Sequence, residues 1–136
     1  MRLCLFVCLG ALILAASAAA ANPVRATLTA SSTTPLVGAP WRYTITVKDQ
    51  AGEPLVAKVK LQILLGTLVV GCWRTMEMVR CSGAKAGTWI AFKGKRAATI
   101  IWPALSVTGK LAFRATVVAG TRTLRLKAPV TVQPRP

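Results

Sequence analysis

The chain has 136 residues, with 18 Lys and Arg against 3 Asp and Glu and no histidine, for a formal charge of +15. Without histidine, the commonest general base and the commonest zinc and copper ligand are missing. Three carboxylates leave little for paired-acid hydrolysis or for binding a hard cation, so the composition disfavours most enzyme classes and any metal site.

Met1-Arg2 is a short positive start, residues 3–14 are an apolar run, and an Ala-rich stretch reaches Ala21. That order is the tripartite pattern of a secretory signal. Cleavage after Ala21 leaves Asn22 first, and Ala18 offers a second point. The competing reading is an uncleaved membrane anchor. The stretch 3–21 is just long enough to span, but seven of its 19 residues are alanine and only its first part is strongly apolar, so cleavage is preferred. Cys4 lies too early and Cys8 sits in mid-run, so neither fits a lipidation site. Residues 1–21 are therefore assigned to the signal and 22–136 to one domain of a secreted or extracytoplasmic, envelope-located protein. Membrane contact would come only through the uncleaved signal. Removing the signal takes away Arg2, Cys4 and Cys8; it lowers the apolar content and hardly touches the charge.

Within the domain, residues 41–48 alternate strictly, Trp41, Tyr43, Ile45 and Val47 on one face and Arg42, Thr44, Thr46 and Lys48 on the other. This is a half-buried strand. Residues 49–54 carry turn chemistry. Alternation resumes with Ala57, Val59, Leu61 and Ile63 inward against Lys58, Lys60 and Gln62 outward. The two strands either pair with each other or are joined by a crossing between sheets. Short runs follow at 67–70 and 75–79.

After removal of the signal only Cys72 and Cys81 remain, which allows one connectivity. Their spacing matches neither a redox CxxC nor a zinc knuckle, and an exported domain favours a structural disulfide. Closing a loop of about ten residues is worth about 2.5–3 kcal/mol in the chain-entropy account.

Beyond Ser82-Gly83 and Ala86-Gly87, residues 88–92 form another short run. Lys93-Gly94-Lys95-Arg96 reads as a basic turn, and 97–102 runs into Pro103. Leu111, Phe113, Ala115 and Val117 face inward with Arg114 and Thr116 outward; a tight turn follows at 119–121. The last strand places Leu124, Leu126, Val130 and Val132 inward and Thr123, Arg125, Lys127 and Thr131 outward. No segment keeps a helical period. About seven to nine short strands at this spacing predict an all-β, antiparallel sandwich.

The phrase Val37-Gly38-Ala39-Pro40-Trp41 through Asp49-Gln50-Ala51-Gly52-Glu53-Pro54 resembles small exported bacterial immunoglobulin-like (Big or transthyretin-like) domains, in which such a phrase forms the B strand and its turn. The later Trp102-Pro103 and Gly109-Lys110-Leu111-Ala112-Phe113 phrase is similar to their E–F passage. The resemblance implies an immunoglobulin-like β-sandwich that binds, spaces or displays. Some such sandwiches hold copper through His and Met. This chain has no His, and Met76 and Met78 read as packing or projecting beside the disulfide rather than as ligands.

Catalysis finds no support. Ser31, Ser32, Ser82 and Ser106 have no histidine to activate them, and pairings of Ser82 with Lys85 or Ser106 with Lys110 lack any surrounding signature. Asp49 and Glu53 flank one turn. No catalytic residue, metal or cofactor is assigned, and the chain reads as a non-enzyme.

The charge is what a sandwich does not explain, because outward positions accept acids as readily as bases. The positive field should attract polyanions. One candidate anion-binding cluster is Lys93, Lys95 and Arg96 with Lys85 near in sequence. A second is Arg122, Arg125 and Lys127 with Arg114, which share a face if their strands pair. Trp73 and Arg74 in the 72–81 loop form a candidate recognition element, although Trp73 packing against the disulfide is preferred. Trp41 and Trp102 belong to the core, and Trp89 stays open as a recognition residue. The leading expectation is a non-catalytic interaction or structural module associating with anionic envelope or extracellular polymers. The alternatives are a soluble cationic effector of membranes or extracellular nucleic acid, and an accessory or inhibitor domain presenting the 72–81 loop to a protein.

Overall fold

Strand-forming alternation translates directly into nine strands, seen in a computed structural model that describes residues 23–105, 107 and 109–134. The expected signal falls outside the described residues, as does Ser106. The strands are β1 (Arg25–Ala30), β2 (Pro40–Lys48), β3 (Val56–Leu65), β4 (Leu68–Arg74), β5 (Glu77–Arg80), β6 (Ile90–Lys93), β7 (Lys95–Ile101), β8 (Gly109–Ala119) and β9 (Arg122–Val132). They form two sheets. One is three-stranded in the order β1-β2-β7; the other is six-stranded in the order β5-β4-β3-β8-β9, with β6 paired to β3. Every strand pairing is antiparallel.

The strand order resolves the alternative left open by the sequence at the turn after β2. Asp49 Oδ1 accepts the Glu53 amide at 2.9 Å and Gly52 adopts a φ of +84°. The chain then crosses to the opposite sheet, so β2 and β3 face each other instead of pairing. Strands one, two and seven thus oppose strands three, eight and nine. This corresponds to the A-B-E and C-F-G division of an immunoglobulin-like sandwich, with β4 and β5 extending the second sheet. Residues around Leu36 run parallel to the end of β9: Thr131 N donates to Thr33 O at 2.7 Å and Gln133 N to Pro35 O at 2.9 Å. That run closes one side of the sandwich.

The core is built from the inward residues expected of β2, β3, β8 and β9. Phe113 of β8 lies between two aromatics of the other sheet, 4.8 Å from Trp41 and 5.4 Å from Tyr43 by ring centroids. Trp102 packs edge-on against Trp41 at 5.2 Å. Burying each such ring is worth about 2–3 kcal/mol, and edge-to-face pairing adds about 0.5–1.5 kcal/mol.

Alternation fails where β3 and β4 are covered on both faces. Leu61, Gln62, Ile63 and Leu64 are all fully buried. Leu61 and Ile63 enter the main core. Gln62 and Leu64 are covered from the outside by the segment that follows β5, where Leu64, Val69, Cys72 and Ala86 form a second small core. A register irregularity between Ile63 and Leu64 sits at the same point.

Candidate anion-binding face

The outer face of the six-stranded sheet is set by register. Gln62, Arg114 and Lys127 lie in one row across β3, β8 and β9; Lys60, Thr116 and Arg125 form the next row; Lys58, Val118 and Thr123 form the third. Neighbouring strands stand about 4.8 Å apart and same-face residues about 6.8 Å apart along a strand. The pairing of β8 with β9 therefore brings Arg114, Arg125 and Lys127 of the second sequence cluster together, whereas its fourth member, Arg122, pairs with the buried Ala119 and falls in the opposite alternation. These three strands contain no Asp or Glu.

A strap over residues 81–89 crosses this face. It is pinned at its start by the Cys72–Cys81 disulfide, with a Cα–Cα distance of 5.9 Å. Gln62, the buried polar residue of the strand, holds its middle: the side-chain amide donates to Ala84 O at 3.0 Å and Ala86 O at 2.7 Å. Its oxygen accepts from Arg114 Nη2, so donors and acceptor are all used. Lys60 Nζ donates to Lys85 O at 3.0 Å. Thr88 closes the strap by donating from its amide and hydroxyl to Trp73 O, at 2.8 and 3.1 Å. Gly87 is required here. Its φ is +114°, and a Cβ would stand 3.2 Å from Lys60 Cγ.

Electrostatics on this face are uncompensated. Arg114 is half-buried, and its Nε lies buried without a partner. Burial, and secondarily the positive charge of Arg125, push its pKa below the usual guanidinium value. Beside it, the ammonium groups of Lys58 and Lys60 stand 4.7 and 4.6 Å from the centroid of the exposed Trp89 ring, within cation–π range. Sequence reading placed Lys58 and Lys60 outward and kept Trp89 open. It did not join them, because their meeting depends on a strap some thirty residues downstream.

The first sequence cluster divides instead of gathering. The chain passes from the second sheet to the first at Gly94, whose φ is +71° and whose Cβ would meet Pro54 Cβ at 2.5 Å. Lys93 pairs with Val56 at one sheet, Lys95 faces outward opposite Thr46 on the other, and Arg96 Nε donates to the buried Tyr43 hydroxyl at 3.0 Å. Lys85 leaves that group and joins the strap. Arg122 begins β9 and lines an open pocket of about 380 Å³ with Val24, Asp49 and Leu55.

The 72–81 segment also differs from expectation. Trp73 packs against the main core, not against the disulfide. Adjacent strand residues point to opposite faces, so Trp73 and Cys72 cannot share one. Met78, opposite Trp73, is in the core too, while Met76 is 86% exposed. Arg74 is exposed opposite Glu77 across a two-residue hairpin, and both hairpin residues, Thr75 and Met76, have positive φ. Ser31 Oγ accepts the Arg42 amide at 3.1 Å and Ser32 O accepts the Trp41 indole N–H at 2.9 Å. Both tie the start of β2. Among the described residues no group of three His, Cys, Asp or Glu is placed to hold a metal ion.

No protein-family model and no curated protein matches the sequence. Among solved structures the chain is similar to the CARDB domain of a Pyrococcus furiosus protein in complex with di-metal ions, at 14% identity and TM-score 0.49, covering 82% of this chain and 89% of that one. It is similar to the sporulation control protein Spo0M of Bacillus subtilis, at 11% identity and TM-score 0.45, covering 81% of this chain and 49% of that one. A third is the cohesin module of a Clostridium perfringens family 33 glycoside hydrolase, at 10% identity and TM-score 0.44, covering 85% of this chain and the whole of that one, 100%. These likenesses concern chain path alone. The immunoglobulin-like assignment rests on the strand order, and nothing those proteins bind is carried to this chain.

Proposed function

We propose that the chain is an exported, non-catalytic interaction module that associates electrostatically with anionic polymers of the cell envelope, and that it belongs with the small bacterial immunoglobulin-like sandwiches its B-strand phrase resembles. The observation that carries this reading is the outer face of the six-stranded sheet, where Lys58, Lys60, Arg114, Arg125 and Lys127 gather on strands devoid of carboxylates. A field of that sign raises the local concentration of polyanions and steers their approach. The Cys72–Cys81 crosslink supports an oxidising compartment.

Such binding depends on ionic strength, because screening shortens to about 3 Å at 1 M salt. The oxidised protein should be retained on purified envelope at low salt and released at high salt. A complex with a protein that ignores salt would instead favour presentation of the 72–81 loop, and permeabilisation of anionic liposomes would favour a cationic effector. Absence of any anionic component in a low-salt pull-down from envelope and secreted fractions would overturn the proposal.

A further inference from the structure

We infer that Thr116 marks the centre of a phosphomonoester subsite, and that the polymer bound on this face is a phosphorylated glycan. The inference rests on the proposed polyanion reading and sharpens it to one chemical group. Thr116 occupies the middle of the cationic lattice. Lys60 and Arg125 flank it directly on β3 and β9, Arg114 precedes it on its own strand, and Lys127 stands opposite Arg114. Three cation-bearing positions thus lie within about one strand spacing or one same-face step of Thr116, and Lys127 lies one diagonal step away.

Two of the four are held in place before any ligand arrives. Gln62 fixes the Arg114 guanidinium, and Lys60 is held by the Lys85 carbonyl and the Trp89 ring. Ordering charged side chains in advance removes part of the entropic cost of binding. The buried Arg114 Nε has a hydrogen to give and nothing to receive it. That atom is shut away from solvent, so an oxyanion meets the rest of the guanidinium and supplies its missing counter-charge.

The chemistry selects among oxyanions. A carboxylate brings a single charge and two oxygens in one plane. A phosphomonoester brings about −1.5 to −2 charges and three acceptor oxygens that leave the plane. Cations carried on three neighbouring strands match the higher charge and the out-of-plane acceptors of the second. The part of Trp89 left exposed beside the two lysines over its ring, 40% of the residue, offers an apolar surface against which the sugar carrying the phosphate can pack. A lipid headgroup would leave that ring unused.

The test is a titration of the oxidised, isotope-labelled protein with glucose 6-phosphate, with glucuronate, and with phosphatidic acid vesicles, read by backbone amide shifts and Trp fluorescence. Glucose 6-phosphate should move the amides of Arg114, Thr116 and Arg125, perturb Trp89, and bind at least about tenfold more tightly than glucuronate. Arg125→Gln, a surface change that spares the fold, should weaken it about tenfold and lower the slope of log affinity against log salt by about one. Arg42→Gln on the opposite sheet should leave it unchanged. Equal binding of phosphate and carboxylate sugars, or equal loss in both variants, overturns the subsite while leaving the polyanion reading in place. Capture by vesicles without any response to glucose 6-phosphate overturns the glycan assignment. If no anionic probe or envelope polymer binds at low salt, both readings fall together.

Discussion

The two sheets carry similar kinds of residue on their outer faces and use them differently. The three-stranded sheet turns Thr27, Thr29, Thr44, Thr46 and Thr99 outward, with Arg25, Arg42, Lys48 and Lys95 exposed among them. No strap covers it among the described residues, and its cations keep their water. The six-stranded sheet is basic on its outer face too, through Lys58, Lys60, Arg114, Arg125 and Lys127, but there a crosslinked strap buries Gln62, half-buries Arg114 and anchors Lys60. A count of charges does not distinguish the two faces. What separates them is desolvation and fixed geometry, which turn a solvated basic surface into a set of directed donors.

The sharpest way to break this contrast is at Gln62. Gln62→Leu should cost about 3–5 kcal/mol in chemical denaturation, because it strands the Arg114 guanidinium and the Ala84 and Ala86 carbonyls. Thr44→Val on the other face should stay within about 0.5 kcal/mol. Comparable losses would mean that the strap is not what makes the faces unlike.

Next comes the crosslink. Replacing Cys72 and Cys81 by serine should destabilise the protein by about 2.5–3 kcal/mol. Hydrogen exchange should rise in 81–89 and β6 before it rises in β1 and β2. Uniform acceleration across both sheets would contradict a local role.

A smaller effect is expected at the β4–β5 hairpin, which belongs to neither face. Thr75 and Met76 have φ of 47° and 74°, values that suit Asn-Gly in a type I′ turn and disfavour a β-branched residue. Thr75→Asn combined with Met76→Gly should stabilise by about 1 kcal/mol in thermal denaturation. A destabilised double variant would show that the exposed Met76 has contacts worth more than the strain.

Smallest is Trp89→Ala. Losing two exposed cation–π contacts should cost about 1–2 kcal/mol at most, and should leave the affinity for plain polyanions within about twofold. A larger loss of stability would make Trp89 a structural member of the strap.

Much of the fold was legible in the sequence, because alternation is a local signal. The inward sets of β2, β8 and β9 and the tight turn at 119–121 follow from residues a few positions apart. Whether β3 pairs with β2 or crosses away was not encoded in the turn at 49–54, whose hydrogen bonds serve either path. The site was half legible. The Arg114, Arg125 and Lys127 group needed only a hairpin, which the sequence announces. Lys58, Lys60, Gln62 and Trp89 needed the strap, a non-local cover that turns outward positions into buried ones. Trp73 was half within reach: on a strand it and Cys72 must take opposite faces, but only the strap over Cys72 decides which faces inward.

The crosslink lies outside the sandwich, joining β4 to a surface strap instead of stitching one sheet to the other. Condensation of the hydrophobic interior therefore does not wait for oxidation. The two sheets can close first, and the strap is fastened afterwards by an oxidant acting on thiols already brought close by the finished scaffold. On this path the strapped, basic face is completed last, and a reducing environment would leave a folded but unfinished protein.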